Sequence, residues 1–186
     1  MFRRVYDKLY RSLVVLCGVF TLLWLAPVVH ASPFGQGVFG AHVPFGSVTS
    51  LSIALGGDVN LSLVPSGPTL SGSGSHTITI TSTDVVGYGL YVYGDGNTNL
   101  SNGTDIIPAS SNSSAAPLSV NTWGYNTDGS TNFVGLTTVP RLLKTAIGPY
   151  ETGDDTTVSY GVVTDVTKSA GVYTGTVTYT VVALTD

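Results

Sequence analysis

From residue 50 onward apolar residues recur at every second position, the period of a pleated strand with one dry face and one wet face. Leu51, Ile53 and Leu55 alternate with Ser52 and Ala54; Val59, Leu61 and Leu63 alternate with Asn60 and Ser62; Ile78 and Ile80 sit among threonines. The pattern predicts strands at 51–55 and 59–63 joined by a hairpin-like turn at Gly56-Gly57-Asp58, then a Pro/Gly/Ser loop over 65–75. Residues 85–93 read as a stronger strand, apolar on both faces, with Tyr88, Leu90 and Val92 set against Val86, Tyr91 and Tyr93. Such a strand is either central and covered or shows aromatics outward. Residues 94–117 form a turn-rich excursion, long enough to be a functional loop. Further strands are expected at 118–125, near 133–138, at 156–164 and at 173–183. The last is the clearest: Tyr173, Gly175, Val177, Tyr179, Val181 and Ala183 share a face, with threonines filling most positions between. Only 140–145 suits a helical turn. About eight short strands without interleaved helices imply antiparallel sheets, so the expected fold is all-β, an antiparallel immunoglobulin-like β-sandwich.

The N-terminal stretch has a different character. Arg3, Arg4, Lys8 and Arg11 precede an apolar run at 13–26, which Pro27, Val29 and Ala31 close with the small residues of a cleavage site. That order predicts a signal peptide, carrying the signal helix, at 1–31, a new N-terminus at Ser32, and export through the general secretory route. Uncleaved, the run at 13–29 is at the short limit for a spanning helix and would be the chain's attachment to a membrane. Cys17 is the sole cysteine, and the bulky Leu16 before it does not suit a lipid-attachment signal. Residues 32–47 repeat Phe-Gly at Phe34, Phe39 and Phe45 and contain Pro33 and Pro44, a Gly/Phe/Pro spacer ahead of a β-sandwich domain at 48–186. Three phenylalanines are unusual in a solvated spacer, and docking on the body or on a neighbouring chain is the alternative to loose packing.

Beyond Ala31, Thr, Ser and Gly supply 24, 19 and 22 of 155 residues, and only Arg141, Lys144 and Lys168 are basic. Ten acidic residues leave this part at about −7, which repels a phosphate backbone and argues against nucleic acid as a partner. The periodic Val, Ile, Leu and aromatic residues argue against disorder. No cysteine remains after cleavage, so sheet hydrogen bonds and core burial must hold the exported body together without disulfides.

Candidate chemistry is sparse. The exported part has His42, His76 and Glu151, with neither a His-Glu-x-x-His nor a Gly-x-Ser-x-Gly motif. His76 follows Ser-Gly-Ser-Gly-Ser and reads as a solvated histidine at a loop edge rather than a triad member. Gly153-Asp154-Asp155 reads as a turn starting the next strand. Asp95, Asn97 and Asn99 have the alternate oxygen ligands of a calcium loop, but Leu100 stands where glycine is expected and Ile106 where a bidentate Glu is expected. An Asx turn accounts for the same residues. No cofactor is otherwise implied. Tyr91 with Tyr93, and Trp123 with Tyr125, share strand faces; exposed, they would stack on sugar rings or partner side chains, and buried they are core. Tyr173, after Ser169-Ala170-Gly171, resembles the tyrosine that pins a loop in immunoglobulin-like sandwiches.

Five pieces carry a resemblance: Gly87-Tyr88-Gly89-Leu90, Asn99-Leu100-Ser101-Asn102-Gly103, Asn121-Thr122-Trp123-Gly124-Tyr125, Thr156-Thr157-Val158-Ser159-Tyr160-Gly161, and the stretch from Ala170 through Thr180. Together they resemble a family of uncharacterised exported bacterial cell-surface β-sandwich proteins from bacteria with reduced genomes, over 61–184. The resemblance implies location and fold and no catalytic residues. The expected function is that of an exported, non-enzymatic, extracellular or cell-surface module, an adhesion or surface-layer component contacting a surface protein or glycan. A glycan-binding module and a self-associating subunit of a surface polymer are the alternatives.

Overall fold

The computed structural model describes residues 49–184; the leader at 1–31, with its expected signal helix, and the spacer at 32–47 lie outside the described residues. Every regular element described is a strand: β1 (Ser50–Leu55), β2 (Val64–Ser66), β3 (Thr69–Thr83), β4 (Gly87–Tyr93), β5 (Leu100–Ser101), β6 (Ile106–Ile107), β7 (Thr122–Asn126), β8 (Arg141–Ile147), β9 (Tyr150–Asp165) and β10 (Thr178–Leu184). One sheet runs β1-β3-β9-β7 with β2 beside the start of β3, a second runs β10-β4-β8, and β5 and β6 form a short ladder of their own. All of these ladders are antiparallel. The first sheet contributes Ile78, Ile80, Trp123, Tyr125, Val158, Tyr160 and Val162 to a core shared with Tyr88, Leu90, Val92 and Ala146 of the second. The all-β expectation and the antiparallel pairing hold, and the layering is consistent with a β-sandwich.

The long pair β3 and β9 runs in register from Thr69 opposite Asp165 to Ile80 opposite Asp154. The loop expected at 65–75 is therefore mostly strand. Its apolar alternation is missing because the dry-face positions are glycines: a Cβ on Gly72 would stand 2.5 Å from the Ser62 carbonyl oxygen, and one on Gly74 would stand 2.9 Å from Leu61 Cδ2. The chain at 59–63 crosses over them, so Val59 and Leu61 pack on the core without forming the strand their alternation predicted. β1 pairs with β3 instead. Gly56 N–H still bonds Thr77 O at 2.8 Å, and Gly57, at φ +99°, then turns the chain out of the ladder, so Gly56-Gly57-Asp58 is not the expected hairpin.

The strand expected near 133–138 is replaced by isolated bridges, in which Val134 exchanges backbone bonds with Tyr125 and Phe133 with Ala116. Phe133 instead fills a trough above Gly124 and Gly161, which face each other across β7 and β9. A Cβ on Gly161 would meet the Phe133 ring at 2.4 Å. The helical turn expected at 140–145 is strand β8, whose register slips opposite Leu90 and Tyr91. That bulge leaves Leu142 exposed and Leu143 against the core, which breaks the period of two. Gly153-Asp154-Asp155 lies inside β9 rather than in a turn. The last strand is confined to 178–184, because Thr174 bridges to Ser101 instead of continuing it.

Candidate functional site

Trp123 and Tyr125 are each 3% exposed and belong to the core, so they are not a surface platform. Trp123 Nε1–H donates to Thr98 O at 2.9 Å, which satisfies its one polar atom and ties the excursion to β7. Tyr91 and Tyr93 stand on the opposite side of β4 from the buried Tyr88, Leu90 and Val92, and both are half-buried. The four aromatics thus divide between the core and the outer side of β4 and form no common row. Of the calcium-like residues, Asn97 Oδ1 accepts from the Asn99 amide at 3.0 Å, the Asx turn that competes with cation binding. Asp95 is exposed. Among the described residues no three of His, Cys, Asp and Glu gather as a metal set.

The excursion is anchored along its length. Asn112 Nδ2 lies 3.1–3.2 Å from the carbonyls of Ala116, Pro117 and Phe133. Asn102 Oδ1 accepts from the amides of Thr104 and Asp105 at 3.0 and 2.7 Å. At its middle stands Asp105, which the sequence did not single out. Lys168 Nζ is 2.9 Å from its Oδ1, and Ser169 Oγ and the Tyr173 hydroxyl reach its Oδ2 at 3.3 and 3.4 Å. The Lys168 hydrogen bond is the main cause that holds the Asp105 carboxyl down at about 2. Tyr173 also donates to Ser169 O at 3.0 Å, pinning its own loop while touching the excursion. Ser101 and Thr174 exchange two backbone bonds beside this clamp, each 2.9 Å. The sequence offered only a weak signal, the scarcity of basic residues beyond the leader, and Asp165, three residues before Lys168, is the carboxylate that a local reading would pair with it.

The segments that the clamp and its neighbouring bonds join carry four exposed apolar residues among exposed threonines and serines. Ile106, Val120, Val166 and Val172 are all exposed, Val172 at 81%. Asn121 Nδ2 donates to Asp165 Oδ2 at 2.7 Å and brings Val120 toward Val166, while the Asp105 clamp holds Ile106 near the loop that carries Val172.

Two polar clusters join the sheets. Lys144 of β8 and Tyr88 of β4 both bond Asp154 of β9, each at 2.6 Å. Burial raises the Asp154 pKa, but the bonds from Lys144 and Tyr88 outweigh it and the net direction is down. Tyr88 is pushed up, first by burial and then by the Asp154 carboxylate. In the second cluster His76 Nδ1 lies 3.0 Å from Gly57 O and Nε2 3.2 Å from the Tyr179 hydroxyl, which also shares a hydrogen bond with Tyr160. His76 is thus a part-buried strut between β3 and β10, not a solvated loop-edge residue. Neither ring nitrogen meets a serine or a carboxylate, so a triad is not assembled around it.

The chain matches no known family model, and no curated protein matches it at a significant level.

Proposed function

We propose that this chain is an exported, non-enzymatic surface module that binds a protein partner through the clamped end of its body, as an adhesion or surface-layer component with an immunoglobulin-like sandwich as its stiff support. The observation that carries the reading is that Ile106, Val120, Val166 and Val172 are all exposed on the segments held together by the Lys168–Asp105 and Asn121–Asp165 bonds. Exposed apolar groups on ordered loops mark contact surfaces, and a surface ordered beforehand loses little freedom on binding. The leader expected at 1–31 supports location outside the cell. A protein partner is favoured over a glycan because the aromatics that would stack on sugar are divided, with Trp123 and Tyr125 in the core.

The test is retention of purified protein on envelopes of the producing cells. The double substitution Val166→Asp and Val172→Asp, at exposed positions, should lower retention at least about tenfold with an unchanged circular dichroism spectrum. Retention equal to the parent protein would overturn the reading. Fractionation with N-terminal sequencing checks export and the start at Ser32.

A further inference from the structure

The outer side of the β10-β4-β8 sheet carries a second group of exposed apolar residues. Ile147 is 81% exposed and Leu142 and Val182 are each 50% exposed, with Tyr91 and Tyr93 half-buried between the latter two strands. Register fixes the arrangement: Val182 lies opposite Gly89, Thr180 and Leu142 both lie opposite Tyr91, and Ile147 lies opposite Gly87. The Tyr91 ring folds back over Gly89, 3.1 Å from where a Cβ would stand, so the centre of the sheet is a low aromatic floor with Val182 on one side and Leu142 on the other. No acidic or amide side chain lies on this side of the three strands, and Lys144 turns inward to Asp154. A face of this kind, uncharged and with its large side chains apolar or aromatic between the hydroxyls of Thr145, Thr178 and Thr180, suits an apolar cover.

We infer that the stretch 35–48 of the same chain docks on this face, with Phe39 and Phe45 set against Tyr91, Leu142 and Val182. The stretch carries no acidic or basic charge apart from His42 and contains Val38, Phe39, Val43 and Phe45, which matches the face in polarity. It also enters the body at the right place. Thr49 Oγ1 donates to Asp84 Oδ2 at 3.1 Å and Ser50 pairs with Thr83, so the chain arrives beside the turn leading into Gly87, at the Ile147 and Leu184 end of the face. Fully extended, about 14 residues span roughly 45 Å, more than the roughly 23 Å length of β4 plus one sheet thickness of about 10 Å. Tethering places the segment at an effective concentration of about millimolar, so the chain's own segment outcompetes that of a second copy at ordinary protein concentrations. The face is distinct from the clamped end assigned to partner binding.

The test places a photo-crosslinking benzoylphenylalanine at position 45, and separately at 39, in the full chain. Illumination should yield a product of monomer mass on a denaturing gel, with the crosslink mapped by mass spectrometry to 87–93, 141–147 or 178–184. Leu142→Asp with Val182→Asp should reduce that product at least about tenfold, as should Ile147→Asp, whose exposure separates loss of docking from misfolding. Products of double mass only, crosslinks to any other surface, no crosslink, or a yield untouched by the aspartates would each overturn the inference. Envelope retention is measured on the same variants, and its persistence separates this docking from partner binding.

Discussion

Lys144 and Asp154 belong to different sheets, yet their side chains meet at 2.6 Å, and the second oxygen of Asp154 takes the hydroxyl of the fully buried Tyr88. One carboxylate thus joins β4, β8 and β9. Asp154→Ala removes both bonds and leaves the Tyr88 hydroxyl buried without an acceptor, which should cost about 3 kcal/mol. Much of the loss comes from that hydroxyl, because the Lys144 ammonium retains some access to water. Tyr88→Phe alone should cost about 1 kcal/mol, and adding it to Asp154→Ala should cost less than the sum. Urea unfolding of the four proteins closes this cycle, and strict additivity would show that the bond contributes nothing.

Acid should loosen the protein at known places. Asp105, Asp128, Asp154 and Asp165 all have carboxyl groups held below their ordinary value in the folded state, Asp105 at about 2 through its bond to Lys168. A lowered folded pKa contributes stability that is complete above the unfolded value of about 4 and is lost as pH falls through the folded one. The urea midpoint should therefore be flat above about pH 5 and fall toward pH 2. Asp105→Asn should flatten that fall, and an identical slope would remove the Lys168 clamp from the account.

Alkali acts through the tyrosines with the opposite sign. Burial pushes Tyr160 up to about 12 and drives Tyr88 and Tyr179 upward as well. A raised folded pKa contributes stability that is present below the unfolded value of about 10 and is lost as pH rises through the folded one. Tyrosinate absorbance of these buried residues should appear together with unfolding between about pH 10 and 12, later than that of exposed tyrosines. His76→Phe, which removes the Tyr179 acceptor, should move this transition to lower pH.

The alternation of β1 and the inner face of β3 was legible because each side chain there meets either core or water. Ile53 and Ile80 lie opposite each other, as a period of two requires. Where a third layer of chain crosses the sheet, that rule fails. Gly72 and Gly74 look like loop residues because the Ser62 backbone and the Leu61 and Val59 side chains occupy the space of their side chains, and Val59 and Leu61 look like a strand because they are the cover. The β8 bulge erased the period of two at 140–145. The clamp was not legible because Asp105 and Lys168 are 63 residues apart and no local pattern pairs them. Among the aromatics, alternation placed Tyr91 and Tyr93 on one face and Trp123 and Tyr125 on another, but only the second sheet decided which face would be covered.

Asn112 anchors the last part of the excursion. Its amide nitrogen lies within 3.2 Å of three carbonyl oxygens, so it needs a donor there and has no use for an acceptor. Asn112→Ala should cost about 1–3 kcal/mol. Asn112→Asp is close in shape but turns an anionic oxygen toward the same carbonyls, and it should cost more than alanine. Equal losses would mean that shape alone matters at this site. Amide exchange should report the damage first at 110–117, ahead of β3 and β9.

Thr164 offers a change in the other direction. It is 1% exposed, and its hydroxyl oxygen has no hydrogen-bond partner. Valine has nearly the same shape, suits a strand equally well, and replaces the buried hydroxyl with a methyl group that loses nothing on leaving water. Thr164→Val should raise stability by about 1 kcal/mol, read as a higher urea midpoint at an unchanged slope. The contrast with Asn112 comes from satisfaction of polar groups rather than burial: one side chain serves three carbonyls, while the other buries an unused oxygen. A loss of stability in Thr164→Val would mean that the hydroxyl has a bound water as its partner, and the same exchange at Thr156, whose hydroxyl is also unpartnered, would then lose stability too.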